Sequence, residues 1–155
     1  MDAKQIRTAQ EDLEKRLKTL NVETAWLEGE DDQIGGTLRA LLPVTDAGDC
    51  VLMEIMVTPF DEVMHLLNLY TAIIMEIGPG YEALKETLLD WNLESPIGAF
   101  GVYRPDRQFC HRYTFPFPAD VPAEELAEEA YYLIGQCYSV ISHVFPDAVR
   151  ISGHV

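Results

Sequence analysis

The most apolar stretch of the chain reads LLNLYTAIIMEI and covers residues 66–77. Its length also allows a helix, but the aromatic and β-branched residues Tyr70, Thr71 and Ile74 favour a strand. Gly78-Pro79-Gly80 marks its end. Because successive side chains of a strand point to opposite faces of the sheet, the stretch has two apolar faces. Leu69, Thr71, Ile73, Met75 and Ile77 lie on one face, and Tyr70, Ala72 and Ile74 lie on the other.

The strand predicted over Cys50–Val57 has the same two-faced character. Val51, Met53, Ile55 and Val57 oppose Leu52 and Met56. An antiparallel sheet with one face in water alternates cleanly between apolar and polar residues. Since these strands do not, we expect their second face to be covered by a helix or by another chain. The final predicted helix also carries tyrosines outside its core stripe, namely Tyr131, Tyr132 and Tyr138.

The other patterns place a helix first, at residues 3–20, and then strands 22–29 and 37–44. Glu30–Gln33 forms a polar turn that Gly35-Gly36 extends, and Asp46–Asp49 forms a hairpin turn. Further along the chain, the patterns predict helix 81–91, strands 98–103 and 108–115, and helix 122–145, with Pro122 at its first position and Pro146 as its stop. The segment 58–67 stays open, with a short helix over Asp61–Leu67 as one alternative.

This order, α-β-β-β-β-α-β-β-α, predicts one α+β domain over residues 1–155, built on an antiparallel sheet with helices mainly on one face. No strand–helix–strand alternation with a Gly-rich turn occurs, which argues against a doubly wound nucleotide fold.

The charge of the chain limits its partners. With 26 acidic and 11 basic residues, the net charge is −15. Such a charge repels phosphate backbones and anionic lipids, so we expect no binding to nucleic acids or membranes. One basic island, Arg104, Arg107 and Arg112, adjoins aromatic residues, an arrangement that can bind single-stranded RNA. The preferred interpretation places those aromatics in the core and pairs the arginines with acids of the helices.

Catalytic and metal-binding motifs are absent from the sequence. Neither H-E-x-x-H nor C-x-x-C occurs, and the odd number of cysteines gives no disulfide framework. His111 follows Cys110, but adjacent strand residues point to opposite faces and cannot act as a nucleophile–base pair. Glu54 and Glu76 interrupt apolar strands and are expected on an exposed face, while His154 lies in a tail. We therefore expect a non-enzymatic protein without a cofactor or a metal. Met1–Arg7 lacks the apolar core of a signal peptide, so a cytoplasmic location is expected.

The segment LLDWNLESPIGAF, residues 88–100, is similar to the helix-to-strand segment of YbjN-like proteins. In both, an apolar helix end is followed by an Asn, a short polar link and the Gly-aromatic start of a strand. Asn92, Gly98 and Phe100 carry the resemblance. A second strand and a long final helix follow here, as in that family, which shares its fold with the type III secretion chaperones. Those proteins are small, acidic, usually dimeric and non-enzymatic.

The resemblance implies a chaperone- or adaptor-like homodimer that holds an extended segment of another protein. Type III secretion chaperones dimerise through a helix and an adjoining strand, and the comparable helix here is Tyr81–Trp91. The implied interface comprises Leu84, Leu88 and Trp91, together with Tyr70 and Ile74 of the strand. Two alternatives remain. The helix stripe packs on the chain's own sheet, or the protein is an enzyme or small-ligand binder with a pocket lined by Tyr70, Trp91 and Tyr113.

Overall fold

The structure, a computed structural model, describes residues 1–28 and 34–153. For Ile34 it describes the backbone only. The predicted turn at Glu30–Gln33 and the predicted tail at His154 lie outside the described residues. The helices are α1 (Ala3–Lys18), α2 (Tyr81–Glu94) and α3 (Ala123–Ser152). The strands are β1 (Glu23–Leu27), β2 (Ile34–Pro43), β3 (Cys50–Pro59), β4 (Met64–Ile74), β5 (Ala99–Tyr103) and β6 (Gln108–Pro118). A 3₁₀ turn, Arg104–Asp106, joins β5 to β6.

The six strands described form one antiparallel sheet in the order β1-β2-β3-β4-β6-β5. The predicted α+β class and the order of its elements are confirmed. Four of the five neighbouring pairs are hairpins of consecutive strands, and α2 separates β4 from the β5–β6 hairpin. This connection brings β6 beside β4 and leaves β5 as an edge strand.

All three helices lie on one face of the sheet. The buried residues of β3 alternate strictly, at Val51, Met53, Ile55 and Val57, and they join the apolar stripes of the helices in one core. The register extends this buried face across the sheet to His111 of β6. No helix among the described residues lies on the opposite side of the sheet. The sequence pattern of two apolar faces therefore corresponds to one covered face and one uncovered face.

Helix α1 begins with a capping box. The Asp2 side chain accepts a hydrogen bond from the Gln5 N–H, and the Gln5 side chain accepts one from the Asp2 N–H, each at 2.8 Å. The carboxylate of Glu14 then fixes the helix to β1, because it accepts hydrogen bonds from Thr24 at 2.7 Å and Trp26 at 2.8 Å. Burial raises the pKa of Glu14, but these bonds and that from Lys18 outweigh it, so the pKa is lowered overall.

The predicted turn at Gly35-Gly36 is wrong, because both residues belong to β2. They have φ values of +82° and +83°, next to a bulge in the pairing with β3. Gly35 also lets α1 approach the strand, since a Cβ there would lie 2.7 Å from Oε1 of the buried Gln10. The Gln10 side chain in turn donates a hydrogen bond to the Gly36 carbonyl at 3.0 Å.

The open segment 58–67 is strand and turn. Strand β3 continues to Pro59 and β4 begins at Met64, so the alternative of a short helix over Asp61–Leu67 is wrong. The carboxylate of Asp61 makes the turn, because it accepts hydrogen bonds from the Val63 and Met64 N–H groups at 2.9 and 2.8 Å.

The predicted stop at Pro146 is also wrong. Helix α3 continues through Pro146 and ends at Ser152, with Gly153 at a φ of +75°. A proline inside a helix removes one hydrogen bond and costs about 3 kcal/mol. The buried side chains of Phe145, Ala148 and Ser152 anchor the last turns and offset that loss. At the other end, Pro122 is the N-cap and the helix itself begins one residue later.

Candidate interaction surfaces

The side of the sheet that faces away from the helices is the first candidate surface, and we call it the open face. Most of its apolar side chains are only partly buried, and Leu41 keeps 39% and Tyr103 keeps 52% of its surface exposed, whereas Ala72 is buried. The apolar members of the open face are Leu27, Leu41, Leu52, Met56, Leu66, Tyr70, Ala72 and Tyr103. Partly exposed apolar side chains grouped on one face of a sheet are typical of an interaction site.

A polar row crosses the middle of the open face. Arg39, Glu54, Tyr70 and Arg112 are directly opposite one another on β2, β3, β4 and β6. Arg39 Nε lies 3.7 Å from Glu54 Oε2, a long ion pair. Arg112 is exposed and makes no ion pair with any described residue. The row therefore contains one cation whose charge is unpaired.

Tyr70 is held rigidly in this row. Its hydroxyl donates a hydrogen bond to Gln108 Oε1. Burial, together with the neighbouring Cys110 thiol and the charge of Glu54, raises the pKa of Tyr70. The phenol is therefore neutral at physiological pH, and it offers an aromatic ring with a fixed orientation.

A shallow depression of about 300 Å³ lies beside Tyr70, toward the β5 edge. Its floor is made by the small residues Ala99, Gly101 and Cys110, and Tyr103 and Arg112 stand at its rim. Burial raises the pKa of the Cys110 thiol, which lies 3.5 Å from the Gly101 carbonyl oxygen. The thiol is therefore protonated and part of the floor, not a nucleophile.

The open face has almost no net charge. Its strands contribute two acids, Glu23 and Glu54, and two bases, Arg39 and Arg112, so the charges sum to zero. The whole chain, by comparison, has a net charge of −15. The excess of acids therefore lies elsewhere on the molecule, and the open face is the region where acidic repulsion is weakest.

The second candidate surface is a groove between α1 and α3, which we call the tyrosine groove. It has a volume of about 760 Å³ and lies over the end of β2. The predicted extra tyrosines of α3 line it, and the Tyr138 hydroxyl donates a hydrogen bond of 2.5 Å to the Pro43 carbonyl. Leu20, which helical spacing predicts as part of the apolar stripe of the first helix, instead falls just after α1, is exposed and lines the groove. Gly135 of α3 also lines it, and helical periodicity gave no signal for that residue.

The interface residues that the resemblance implied do not share one surface. Leu84 is fully buried and Leu88 nearly so, both in the chain's own core, and Ile74 is also buried. Trp91 packs its ring against Phe100 at 6.0 Å. The alternative that packs the α2 stripe inside the chain is the observed arrangement. Among the implied residues, only Tyr70 lies on the open face.

Asn92, Gly98 and Phe100 form one structural unit. The Asn92 side chain donates a hydrogen bond to the Phe100 carbonyl at 2.9 Å and accepts one from the Phe100 N–H at 2.6 Å. Gly98 has a φ of +67° and packs on the buried ring of His111, which in turn lies edge-on to Phe100 at 4.9 Å. The three residues therefore fix the α2–β5 link, and their part in the structure is internal.

The predicted ligand pocket does not form. Tyr70 lies on the open face, whereas Tyr113 lies on the covered face with Leu69, and Trp91 belongs to α2 on that same side. Cys110 and His111 point to opposite faces, as the strand geometry predicts. No cluster of three or more His, Cys, Asp or Glu side chains within residues 1–28 and 34–153 is arranged to hold a metal ion.

The basic island differs from its prediction. Arg107 stacks over the Tyr81 ring at 4.5 Å and donates a hydrogen bond to the Gly78 carbonyl at 3.2 Å. In the described part of the chain, neither Arg104, Arg107 nor Arg112 forms an ion pair with an acid of the helices, so that interpretation is wrong. Phe109, Tyr113 and Phe115 point toward the helices, as predicted, and away from Arg112. The same prediction is wrong for Tyr103, which keeps 52% of its surface exposed on the open face beside Arg112. Of these four aromatics, Tyr103 alone shares a face with Arg112, so the island lacks the series of aromatic rings on which successive bases stack.

A scan against models of known protein families and a search of curated proteins both find no match to this chain. Among the described residues, no helix combines the length and the apolar composition needed to cross a membrane.

Proposed function

We propose that the chain is a non-enzymatic protein-binding module, chaperone- or adaptor-like, which self-associates and holds a segment of a partner protein. One observation carries this proposal. All three helices pack on the same face of the sheet, and the opposite face keeps a band of partly exposed apolar side chains around Tyr70. A second copy of the chain is the occupant that fits this face best, for reasons of area and charge.

The area of the open face suits a stable dimer. Six strands of five to eleven residues, about nine on average, spaced about 4.8 Å apart with a rise of about 3.3 Å per residue, make a surface of roughly 25 by 30 Å, or about 750 Å². Stable interfaces bury about 800 Å² on each partner and combine apolar and polar groups in similar shares. The open face therefore has the size and the composition of one half of such an interface.

The charge distribution also favours a second copy. Two chains that each carry −15 repel one another over most of their surfaces. On the open face the two arginines, Arg39 and Arg112, balance Glu23 and Glu54. Association through this face consequently brings together the least repulsive parts of two molecules.

The tyrosine groove supports the second part of the proposal, the binding of a partner's segment. It is mainly apolar, and it lies on the helix side, so a dimer formed through the open face leaves it accessible. Its volume, about 760 Å³, accommodates several side chains of an extended or helical segment. The resemblance to YbjN-like proteins, carried by Asn92, Gly98 and Phe100, points to the same kind of function. A cytoplasmic site of action accords with the three unpaired cysteines of the chain.

Sedimentation equilibrium with Leu52→Asp tests the proposal. Leu52 is half-buried at the centre of the open face, so a carboxylate there is expected to turn a wild-type dimer into a monomer. The matched control is Leu93→Asp, because Leu93 is 86% exposed on α2, on the other side of the molecule. Circular dichroism verifies that both variants fold. A wild-type chain that stays monomeric at tens of micromolar, or a Leu93→Asp variant that dissociates equally, would overturn the proposal.

A further inference from the structure

We infer that two copies of the chain pack open face to open face about a two-fold axis that runs along β4 at Tyr70, so that Glu54 of each copy faces Arg112 of the other. This inference rests on the proposed self-association and adds its geometry. It is argued from the cross-strand register, the sizes of the facing side chains and the unpaired charge of Arg112.

The order of residues along the polar row determines which side chains face each other across the two-fold axis. Arg39, Glu54, Tyr70, Arg112 and Ala99 follow one another on β2, β3, β4, β6 and β5. With a two-fold axis along β4, each cross-strand row of one copy faces the same row of the other copy. Strand β3 of one copy then lies over β6 of the other, and β2 lies over β5. Tyr70 then meets Tyr70, and Glu54 meets Arg112 twice in each dimer. Packed sheets lie about 10 Å apart, a gap that a glutamate and an arginine side chain span together.

The usual rotation between two aligned sheets does not disturb this pairing. Aligned sheets cross at about −30°. One strand away from the axis, about 4.8 Å, that rotation displaces facing residues by only about 2.5 Å. The long, flexible side chains of Glu54 and Arg112 accommodate such a shift.

The neighbouring row supports the same axis through side-chain size. Leu41, Leu52, Ala72, Cys110 and Gly101 follow one another across the same five strands. The axis along β4 places Leu52 over Cys110 and Leu41 over Gly101, in the shallow depression of the partner. Large side chains thus meet small ones, which is how packed layers interdigitate.

Three other positions of the axis bring like charges together. An axis along β3 places Glu54 against Glu54, and one midway between β3 and β4 places Arg39 against Arg112. An axis across the strands at this row places every charge against its own copy. Burying a charge without a partner costs far more than burying a pair. The axis along β4 is the arrangement among these that gives Arg112 a carboxylate, since it has no ion pair within the described residues.

Charge reversal tests the axis. Glu54→Arg alone makes both intermolecular contacts Arg–Arg, and Arg112→Glu alone makes both Glu–Glu, so each variant is expected to form its own dimer at least tenfold more weakly than the wild type. The two variants mixed complement each other at both contacts. A mixture of differently tagged variants is therefore expected to give mainly the heterodimer by native mass spectrometry. The double variant, with both reversals in one chain, is expected to recover the homodimer.

The double variant also controls for folding. Glu54→Arg places a second arginine beside Arg39 within the same chain, and the double variant keeps that contact. A double variant that dimerises therefore shows that this contact does not prevent folding. Glu86→Arg and Arg150→Glu, exposed on α2 and α3, are the matched charge controls and should leave dimerisation unchanged. A monomeric wild type refutes the proposed self-association itself. A dimeric wild type without heterodimer preference, or a double variant that stays monomeric, overturns the axis alone and leaves self-association standing.

Discussion

Alanine at Gly98 is expected to lower the free energy of unfolding by about 2–5 kcal/mol, the sum of a backbone and a steric contribution. The backbone contribution arises because Gly98 has a φ of +67°, where a residue with a Cβ is disfavoured by roughly 1–2 kcal/mol. The steric contribution arises because the new Cβ would lie 2.5 Å from Cε1 and 2.6 Å from Nε2 of the His111 ring. That ring is fully buried, and its Nε2 donates a hydrogen bond to the Ile97 carbonyl at 3.0 Å. Overpacking of this kind costs roughly 1–3 kcal/mol.

Gly48→Ala isolates the backbone contribution. Gly48 has a φ of +95°, and no atom lies within 4 Å of an added Cβ. Its replacement by alanine is therefore expected to cost only roughly 1–2 kcal/mol. Equilibrium unfolding in urea, followed by far-ultraviolet circular dichroism and by the fluorescence of the two tryptophans, Trp26 and Trp91, measures both variants. If Gly98→Ala destabilises the protein no more than Gly48→Ala, the steric part of the reasoning is refuted.

Three further changes test other parts of the structure. Gly135→Ala is expected to raise the melting temperature, with a gain of about 0.5–1 kcal/mol, because the helical glycine has no atom within 4 Å of an added Cβ; calorimetry that finds a lower value contradicts this. Asn92→Ala should lower the free energy of unfolding in urea by about 1–3 kcal/mol, because it removes both hydrogen bonds to Phe100. The control is Thr87→Ala, which removes a solvent-exposed hydrogen bond and should cost at most about 0.5 kcal/mol. Equal losses of stability in the two variants would show that the bonds to Phe100 contribute nothing. Burial lowers the pKa of His111 below its ordinary value of 6.5. As the pH falls, the unfolded chain therefore binds a proton at this residue before the folded chain does. The contribution of His111 to the free energy of unfolding is complete above about pH 6.5 and is lost below it, by at most about 1.4 kcal/mol per pH unit. Urea unfolding measured between pH 7.5 and 5.5 should show that the free energy of unfolding changes less with pH in His111→Gln than in the wild type. Identical changes with pH would exclude His111 as the source of this pH dependence.

The fold was largely predictable because apolar periodicity and turn residues dominate most of its elements. The errors fall where tertiary packing overrides a local signal. Pro146 is a strong stop signal, but the turns after it bury Ala148 and Ser152 and extend the helix. The glycines at 35 and 36 signal a turn, but they serve a bulged strand that lies close against α1. Neither contact is visible in a local window of sequence.

The sequence predicted that the sheet has a second apolar face, but of the five interface residues that the resemblance implied, only Tyr70 lies on that face. The two apolar faces of Cys50–Val57 predicted a second face covered by a helix or by another chain, and the structure shows that no described helix covers it; a cover by another chain stays a prediction. Helical periodicity shows that a stripe is apolar but not which surface it packs against. From the sequence, Leu84 and Leu88 could therefore contact either a partner chain or the chain's own core. The polar row was also hidden, because the alignment of Glu54 with Arg112 depends on the register of strands that are distant in sequence.

A sheet with one uncovered face is prone to uncontrolled association unless its edges and its remaining surfaces resist it. The edge strand β5 has part of its backbone occupied, since the Asn92 side chain takes both the N–H and the C=O of Phe100. The exposed start of α3 carries Glu124, Glu125, Glu128 and Glu129, which repel a second acidic chain. Association is then directed to the neutral open face, and a two-fold arrangement there is closed, because each copy uses its open face completely. On this reasoning, the acidic helices and the Asn92 bridge limit the proposed assembly to a dimer, and the tyrosine groove stays accessible on both of its outer sides.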